Sequence, residues 1–244
     1  MDKTWQMNQQ VIELWKLCVK PDNRELMPFF YPRLSETVDF LFIGLNPSFG
    51  TKFLAPPHVD REIFDPKHPE KFFLWRNFLA RNNATFDIEI AQKIDEHAKH
   101  NYQYFKRFTK IADRLNAKWE HVDLFLFRQT DQSQFKRKIC CNNNFKNLRE
   151  FGTRQLELSK QVISELRPKL IVVVNALAAD IFKRKFEVAF DEKLHCYTTQ
   201  LREKTVRAFF TPLASPYIRR DIRRNVERQI EKAFLSDSLQ EIQQ

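Results

Sequence analysis

The chain has 244 residues, 43% of them apolar and 30% charged, which is too apolar for a disordered chain and long enough to bury a core without disulfide or metal staples. Its 41 Lys/Arg against 31 Asp/Glu leave a net charge of +10, a balance that favours an anionic partner such as nucleic acid. No run approaches the roughly 18–20 apolar residues of a membrane span, so no membrane partner is expected. The N-terminal Met-Asp-Lys-Thr-Trp-Gln-Met-Asn lacks a signal peptide's apolar stretch. The expectation is therefore one cytoplasmic, monomeric domain over residues 1–244, with a helical extension at 1–35 and a frayed tail at 236–244.

In chain order, Thr4 can cap a helix from Trp5 to Lys20, stopped by Pro21. Residues 23–35 carry Pro28 and Pro32 and read as irregular. Val38-Asp39-Phe40-Leu41-Phe42-Ile43 is a short apolar run suited to a strand covered on both faces. It ends in Gly44-Leu45-Asn46-Pro47-Ser48-Phe49-Gly50, and residues 55–69 form a loop. Helical spacing of aromatic and aliphatic residues predicts helices over 70–81, 86–98 and 101–117. A second strand covers Trp119 to Leu126, and a polar loop containing Lys136-Arg137-Lys138 follows. A helix over 149–166 precedes the third strand, 169–174. Asn175 leads into a helix over 176–186. Residues 194–200 and 205–210 read as strands, possible partners in a hairpin. Thr211-Pro212-Leu213-Ala214-Ser215-Pro216 opens a last helix, 217–234. Strands alternating with helices imply an α/β domain with a largely parallel sheet, whose ligands sit beyond the carboxyl ends of the strands.

Glycine occurs 3 times, where average usage near 7% would give roughly 17. So few glycines leave few cheap positions for positive φ, and two of the three bracket the segment 44–50. Cys18, Cys140, Cys141 and Cys196 match no zinc or iron–sulfur spacing, and the histidines are scattered. No metal and no cofactor are expected.

The segment 44–50 is the strongest chemical candidate. Gly44 permits a sharp turn, and Pro47 stiffens it. Backbone N–H groups there can face a ligand. Asn46 offers an amide to orient water, and Phe49 a flat face for stacking. An ordinary strand-exit turn would use the same residues.

Gly-Leu-Asn-Pro-Ser-Phe-Gly resembles the first motif of the uracil-DNA glycosylase superfamily, in the mismatch-specific and single-strand-selective branch that carries Asn there. The resemblance covers residues 36 to 234. It implies a three-layer α/β/α sandwich with a central, mostly parallel four-stranded sheet. It also implies that Asn46 positions the hydrolytic water, that Phe49 stacks on an extruded base, and that Gly44, Leu45 and Pro47 line the base. Asp123 stands where many members place a base-reading Asn. A carboxylate there accepts from N–H groups and repels a carbonyl oxygen, which implies a base other than uracil. A strand-end cap, or an ion pair with Arg128, is the plainer role for Asp123. Asn175, at the end of the third strand, is a further candidate for base binding.

The family's second motif is altered. Either Thr211-Pro212 replaces its His-Pro, or Ser215-Pro216 matches its Ser-Pro, with Tyr217 as wedge and Arg219 on the family's Arg. Neither register keeps the His or Asn that would stabilise a departing base anion. Ser215 joins Asn46 as a candidate catalytic residue and is the expected N-cap of the last helix. Residues 202–232 carry nine Lys/Arg and four Asp/Glu. The candidate DNA contacts are Thr211, Ser215, Tyr217, Arg219, Arg220 and Arg223. The implied function is hydrolysis of the N-glycosidic bond of a damaged or unusual base flipped out of DNA. The alternative is a glycosylase-fold module, weak or inactive in catalysis, that binds a modified base, nucleotide or nucleic acid.

Overall fold

The computed structural model describes residues 2–22, 24–31, 34, 37–47, 64–65, 67–192, 195–213, 215 and 217–242. In chain order the elements are α1 (Lys3–Cys18), β1 (Phe40–Gly44), α2 (Pro69–Phe73), α3 (Trp75–Arg81), α4 (Ala84–Asn101), α5 (Lys106–Arg114), β2 (Trp119–Asp123), α6 (Gln132–Ile139), α7 (Glu150–Leu166), β3 (Leu170–Val173), α8 (Ala176–Lys185), β4 (Val188–Asp191), β5 (Cys196–Leu201), β6 (Lys204–Phe210) and α9 (Arg220–Ile242). They gather into two compact units of three segments each. The first comprises 1–35, 46–106 and 125–162; the second comprises 36–45, 107–124 and 163–244.

The first unit is helical. α1 starts two residues earlier than expected. Asp2, not Thr4, caps it by accepting from the Thr4 N–H at 2.9 Å. The Thr4 hydroxyl instead accepts from the Leu34 N–H. The expected helix 70–81 is two helices, broken at Leu74, whose ψ of 127° is extended and which bridges to Leu26. The expected polar loop near 136–138 contains α6, capped by Asp131, with Phe135 and Ile139 buried one turn apart. Trp15, Phe30, Phe73, Trp75, Phe125 and Phe135 are fully buried in this unit.

The second unit holds a sheet that has six strands among the described residues, in the order β2-β1-β3-β6-β5-β4. Its first four strands are mutually parallel. β5 runs antiparallel to β6, and β4 antiparallel to β5. The family resemblance implied four strands, and the chain-order reading gave five. Beyond the four parallel strands, β5 and the edge strand β4 extend the sheet to six. β4 escaped the pattern because it is short and half-exposed and buries no alternating face.

β1 and β3 are buried throughout, as continuous apolar runs in a parallel sheet should be. Phe42 stacks on Phe108 of α5 at 4.3 Å, and Phe40, on the same face, meets Phe234 of α9 at 4.7 Å. Phe210, in register with Val173 on the opposite face, meets Phe182 of α8 at 6.0 Å. Helices thus cover both faces of this α/β unit. α9 starts at Arg220, later than expected, and continues through Ile242, past the expected frayed boundary.

The glycine shortage is met differently from the expectation. Asn82, Asn116, Asn142, Arg167, His195 and Arg202 take positive φ, and no described glycine does. Asn tolerates this region through local hydrogen bonds of its short side chain. The described glycines serve close approach instead, which matters most at Gly44.

Candidate nucleobase and nucleic-acid site

Parallel pairing sets Gly44 of β1 beside Asp123 of β2, and Phe42 beside His121. Residues two apart share a face, so all four lie on the side covered by α5. A Cβ on Gly44 would sit 2.1 Å from Asp123 Oδ1 and 2.9 Å from His121 Nε2. Gly44 is therefore the last residue of a strand whose missing side chain makes room for a carboxylate and an imidazole. The sharp turn expected of it does not involve positive φ. Its carbonyl accepts from the Leu124 N–H at 3.1 Å.

Asp123 and His121 are nearly buried, with His121 Nε2 3.9 Å from Asp123 Oδ1. The imidazole lies parallel to Phe108 at 6.1 Å, which limits its swing. Sequence reasoning missed His121. The available signal was the two-residue spacing of His121 and Asp123 at a strand end, which sends both side chains to one face. Arg128, considered as a partner for Asp123, is instead paired with Asp95 in the first unit, through contacts of 2.6 and 3.1 Å. It also lies over the Phe29 and Phe73 rings.

Leu45 is buried. Asn46 is half-buried in the first unit. Its amide nitrogen donates to the Gln129 carbonyl at 2.7 Å, with the Phe127 and Pro47 carbonyls at 3.4 Å. Gln129 N–H donates to the Pro47 carbonyl. Three surrounding acceptors fix which end of the amide is nitrogen, so Oδ1 is the end left to orient a ligand or water. Gln132 Nε2 approaches it at 3.4 Å. Ser48, Phe49 and Gly50 lie outside the described residues, so the stacking role of Phe49 does too. Asn175 has a structural use: its side-chain oxygen caps α8 by accepting from the Leu177 and Ala178 N–H groups at 2.9 and 3.1 Å.

The segment after β6 is where the expected DNA contacts gather. Thr211 extends the pairing by donating to the Val173 carbonyl at 3.0 Å. The residue is 7% exposed, and its buried hydroxyl has no hydrogen-bond partner among the described residues. Ser215 does not cap α9, because the helix begins five residues later. Its hydroxyl accepts from the Tyr217 N–H at 3.2 Å and closes a local turn. Arg107 Nη1 braces this turn by donating to the Leu213 and Ser215 carbonyls at 2.7 and 2.9 Å. Ala214 and Pro216 lie outside the described residues.

Tyr217 is 92% exposed beyond this brace. Arg219, Arg220 and Arg224 are exposed, and Arg223 is half-buried. Arg219 is paired bidentately with Asp221 at 2.8 and 3.2 Å. Arg107 has a lowered pKa, first through burial and then through the charge of Arg223, with Glu227 opposing.

Cys18, Cys140, Cys141 and Cys196 are free thiols, and burial pushes the Cys140 thiol up to about 11. Among the described residues no group of three or more His, Cys, Asp or Glu is arranged to hold a metal ion, and no helix is long and apolar enough to cross a membrane. No family model and no curated protein matches the chain.

Proposed function

We propose that the chain is a DNA glycosylase-like protein of the uracil-DNA glycosylase type, which extrudes an unusual base from DNA and hydrolyses its N-glycosidic bond. The observation that carries this reading is Tyr217, a large aromatic 92% exposed on a braced loop and followed by Arg219, Arg220, Arg223 and Arg224. Leaving such a ring in water is unproductive for a core. It suits a wedge that enters a base stack while neighbouring cations hold phosphates. In this reading Gly44 and Leu45 line the base. The Asp123 carboxylate accepts from its N–H groups, which selects against the carbonyl-rich edge of uracil. Asn46 Oδ1 orients a water that adds to C1′ as the C1′–N bond breaks; the base leaves with the bonding electron pair, the water sheds one proton to solvent, and the base anion takes up one proton. Positioning and electrostatic stabilisation supply the acceleration.

A second reading has one specific observation in its favour. Thr211, in one register the counterpart of the family's His, carries a neutral hydroxyl where the family has an imidazole, and that hydroxyl offers no positive charge to a departing base anion. That favours a module that binds a modified base or nucleic acid without chemistry. Oligonucleotides each carrying one modified base, scored for both binding and abasic sites, decide between the readings. Glycosylase function gives abasic product with at least one base, and Asn46→Ala abolishes it while leaving DNA binding within a few-fold. Binding without product, at high protein concentration and long times, selects the module. Neither binding nor product refutes both.

A further inference from the structure

Two guanidinium groups are attached to the same short segment. Arg107 Nη1 holds the Leu213 and Ser215 carbonyls, and Arg223 Nη2 donates to the Ile218 carbonyl at 3.2 Å. Like charges brought together in a partly desolvated place repel, and the depressed pKa of Arg107 records both effects. The acid that opposes this, Glu227, is shared with Arg114 at 3.2 Å. Donors are also left over. Arg223 Nε is buried with no acceptor, and the Thr211 hydroxyl is buried with no partner, among the described residues. A buried N–H without an acceptor forfeits the hydrogen bond it made to water in the unfolded chain. Native structures leave few such groups, and two of them meet here beside two guanidinium charges.

We propose that Arg107, Arg223 and Thr211 form a subsite for one phosphate-class oxyanion at the segment joining β6 to α9. The chemistry of the donors selects the ligand. The donors without a partner are a guanidinium N–H of Arg223 and the Thr211 hydroxyl, and Arg107 adds a second positive charge, so the occupant must be an acceptor with several oxygens and a negative charge. A phosphoryl group meets three directions of approach, whereas a carboxylate presents its two oxygens in one plane. The start of α9 follows directly and adds its partial positive charge. Arg107 lies far from this segment in sequence, so no motif reading reaches it. Only the fold brings it there. That the oxyanion is a backbone phosphate of DNA rests on the function proposed above; the anion subsite itself does not.

The test follows the Arg223 Nε–Hε resonance of the full chain in ¹⁵N spectra. Sodium phosphate is titrated in at constant ionic strength, with chloride as control, and a short oligonucleotide is titrated separately. The expected result is a saturable phosphate-specific shift. It weakens at least ten-fold in Arg107→Gln and several-fold in Thr211→Val, with the backbone spectrum otherwise retained. Thr211→Val changes little in volume, and the wild-type titration needs no variant, so misfolding of Arg107→Gln does not shield the proposal. If the oligonucleotide moves the same resonance and phosphate competes with it, the occupant is a nucleic-acid phosphate. If phosphate binds there and the oligonucleotide binds nowhere, the subsite stands and the DNA reading falls. If the oligonucleotide binds but neither ligand moves Arg223 Nε–Hε, the subsite is refuted and the DNA reading stands. A non-saturating shift equal to that in chloride also refutes the subsite, and leaves the arginines as braces for the loop.

Discussion

Gly44→Ala tests the packing at the carboxyl ends of β1 and β2. The new methyl would lie 2.1 Å from Asp123 Oδ1 and 2.9 Å from His121 Nε2, well inside contact distance. Asp123 is held near burial, and the imidazole is stacked on Phe108, so neither yields freely. Overpacking of this kind costs about 1–3 kcal/mol. Gly44 has no positive φ, so alanine also gains about 0.4–1 kcal/mol by restricting the unfolded chain. The net expectation is a loss of up to about 2.5 kcal/mol. Urea unfolding of the wild type, Gly44→Ala, Asp123→Ala and the double variant forms a cycle. Removing the carboxylate removes the worst collision, so the double variant should be more stable than additivity predicts, by about 1–3 kcal/mol. Additive losses, or a Gly44→Ala protein more stable than wild type, would refute the reasoning.

Tyr217→Ala should leave the unfolding midpoint unchanged, because the ring is 92% exposed. Stacking is worth about 1–3 kcal/mol per base, so the same change should weaken binding of DNA carrying a flipped base roughly 5- to 150-fold, read by 2-aminopurine fluorescence. Unchanged binding rejects the wedge. Arg220→Gln should lower the slope of log K against log salt by about 0.9, and Arg219→Gln by less, since Asp221 already neutralises Arg219. Equal effects would show that the Asp221 pair does not persist in the complex. Burial raises the Asp95 carboxyl above its ordinary value of 3.8, with Arg128 opposing. A carboxyl that holds its proton more tightly folded than unfolded adds stability as pH falls through its folded value towards 3.8, and loses it as pH rises. The stability of wild type relative to Asp95→Asn should therefore grow on acidification towards pH 3.8. A gap that narrows would contradict the assignment.

Period and breakers made the α/β alternation legible. β1 and β3 announce themselves as buried apolar runs, and the hairpin of β5 and β6 lies close to where its residues suggest. What was illegible depends on contacts distant in sequence or on weak patterns. Leu74 breaks a helix through a bridge to Leu26, which no local propensity encodes. β4 is half-exposed and gives no periodic signal. α6 hides behind its basic run, although Phe135 and Ile139 mark its buried face. In the candidate site, the short motif at 44–47 and the arginines of 219–224 stand out in sequence. The reason for Gly44 does not, because it lies in Asp123 and His121 across a strand pair. Asn175 drew notice as the end of a strand, and the same position is the N-cap of a helix, a use of its oxygen that the strand pattern alone does not show.

The most direct measurement of the central claim is a photo-cross-link. An oligonucleotide carrying one photoreactive base, irradiated with the full chain and mapped by mass spectrometry, reports where a base rests. The account predicts adducts within 44–47 and 121–125, lost in competition with unlabelled DNA and reduced by Tyr217→Ala. Adducts confined to other segments, or none while the DNA is demonstrably bound, would contradict it.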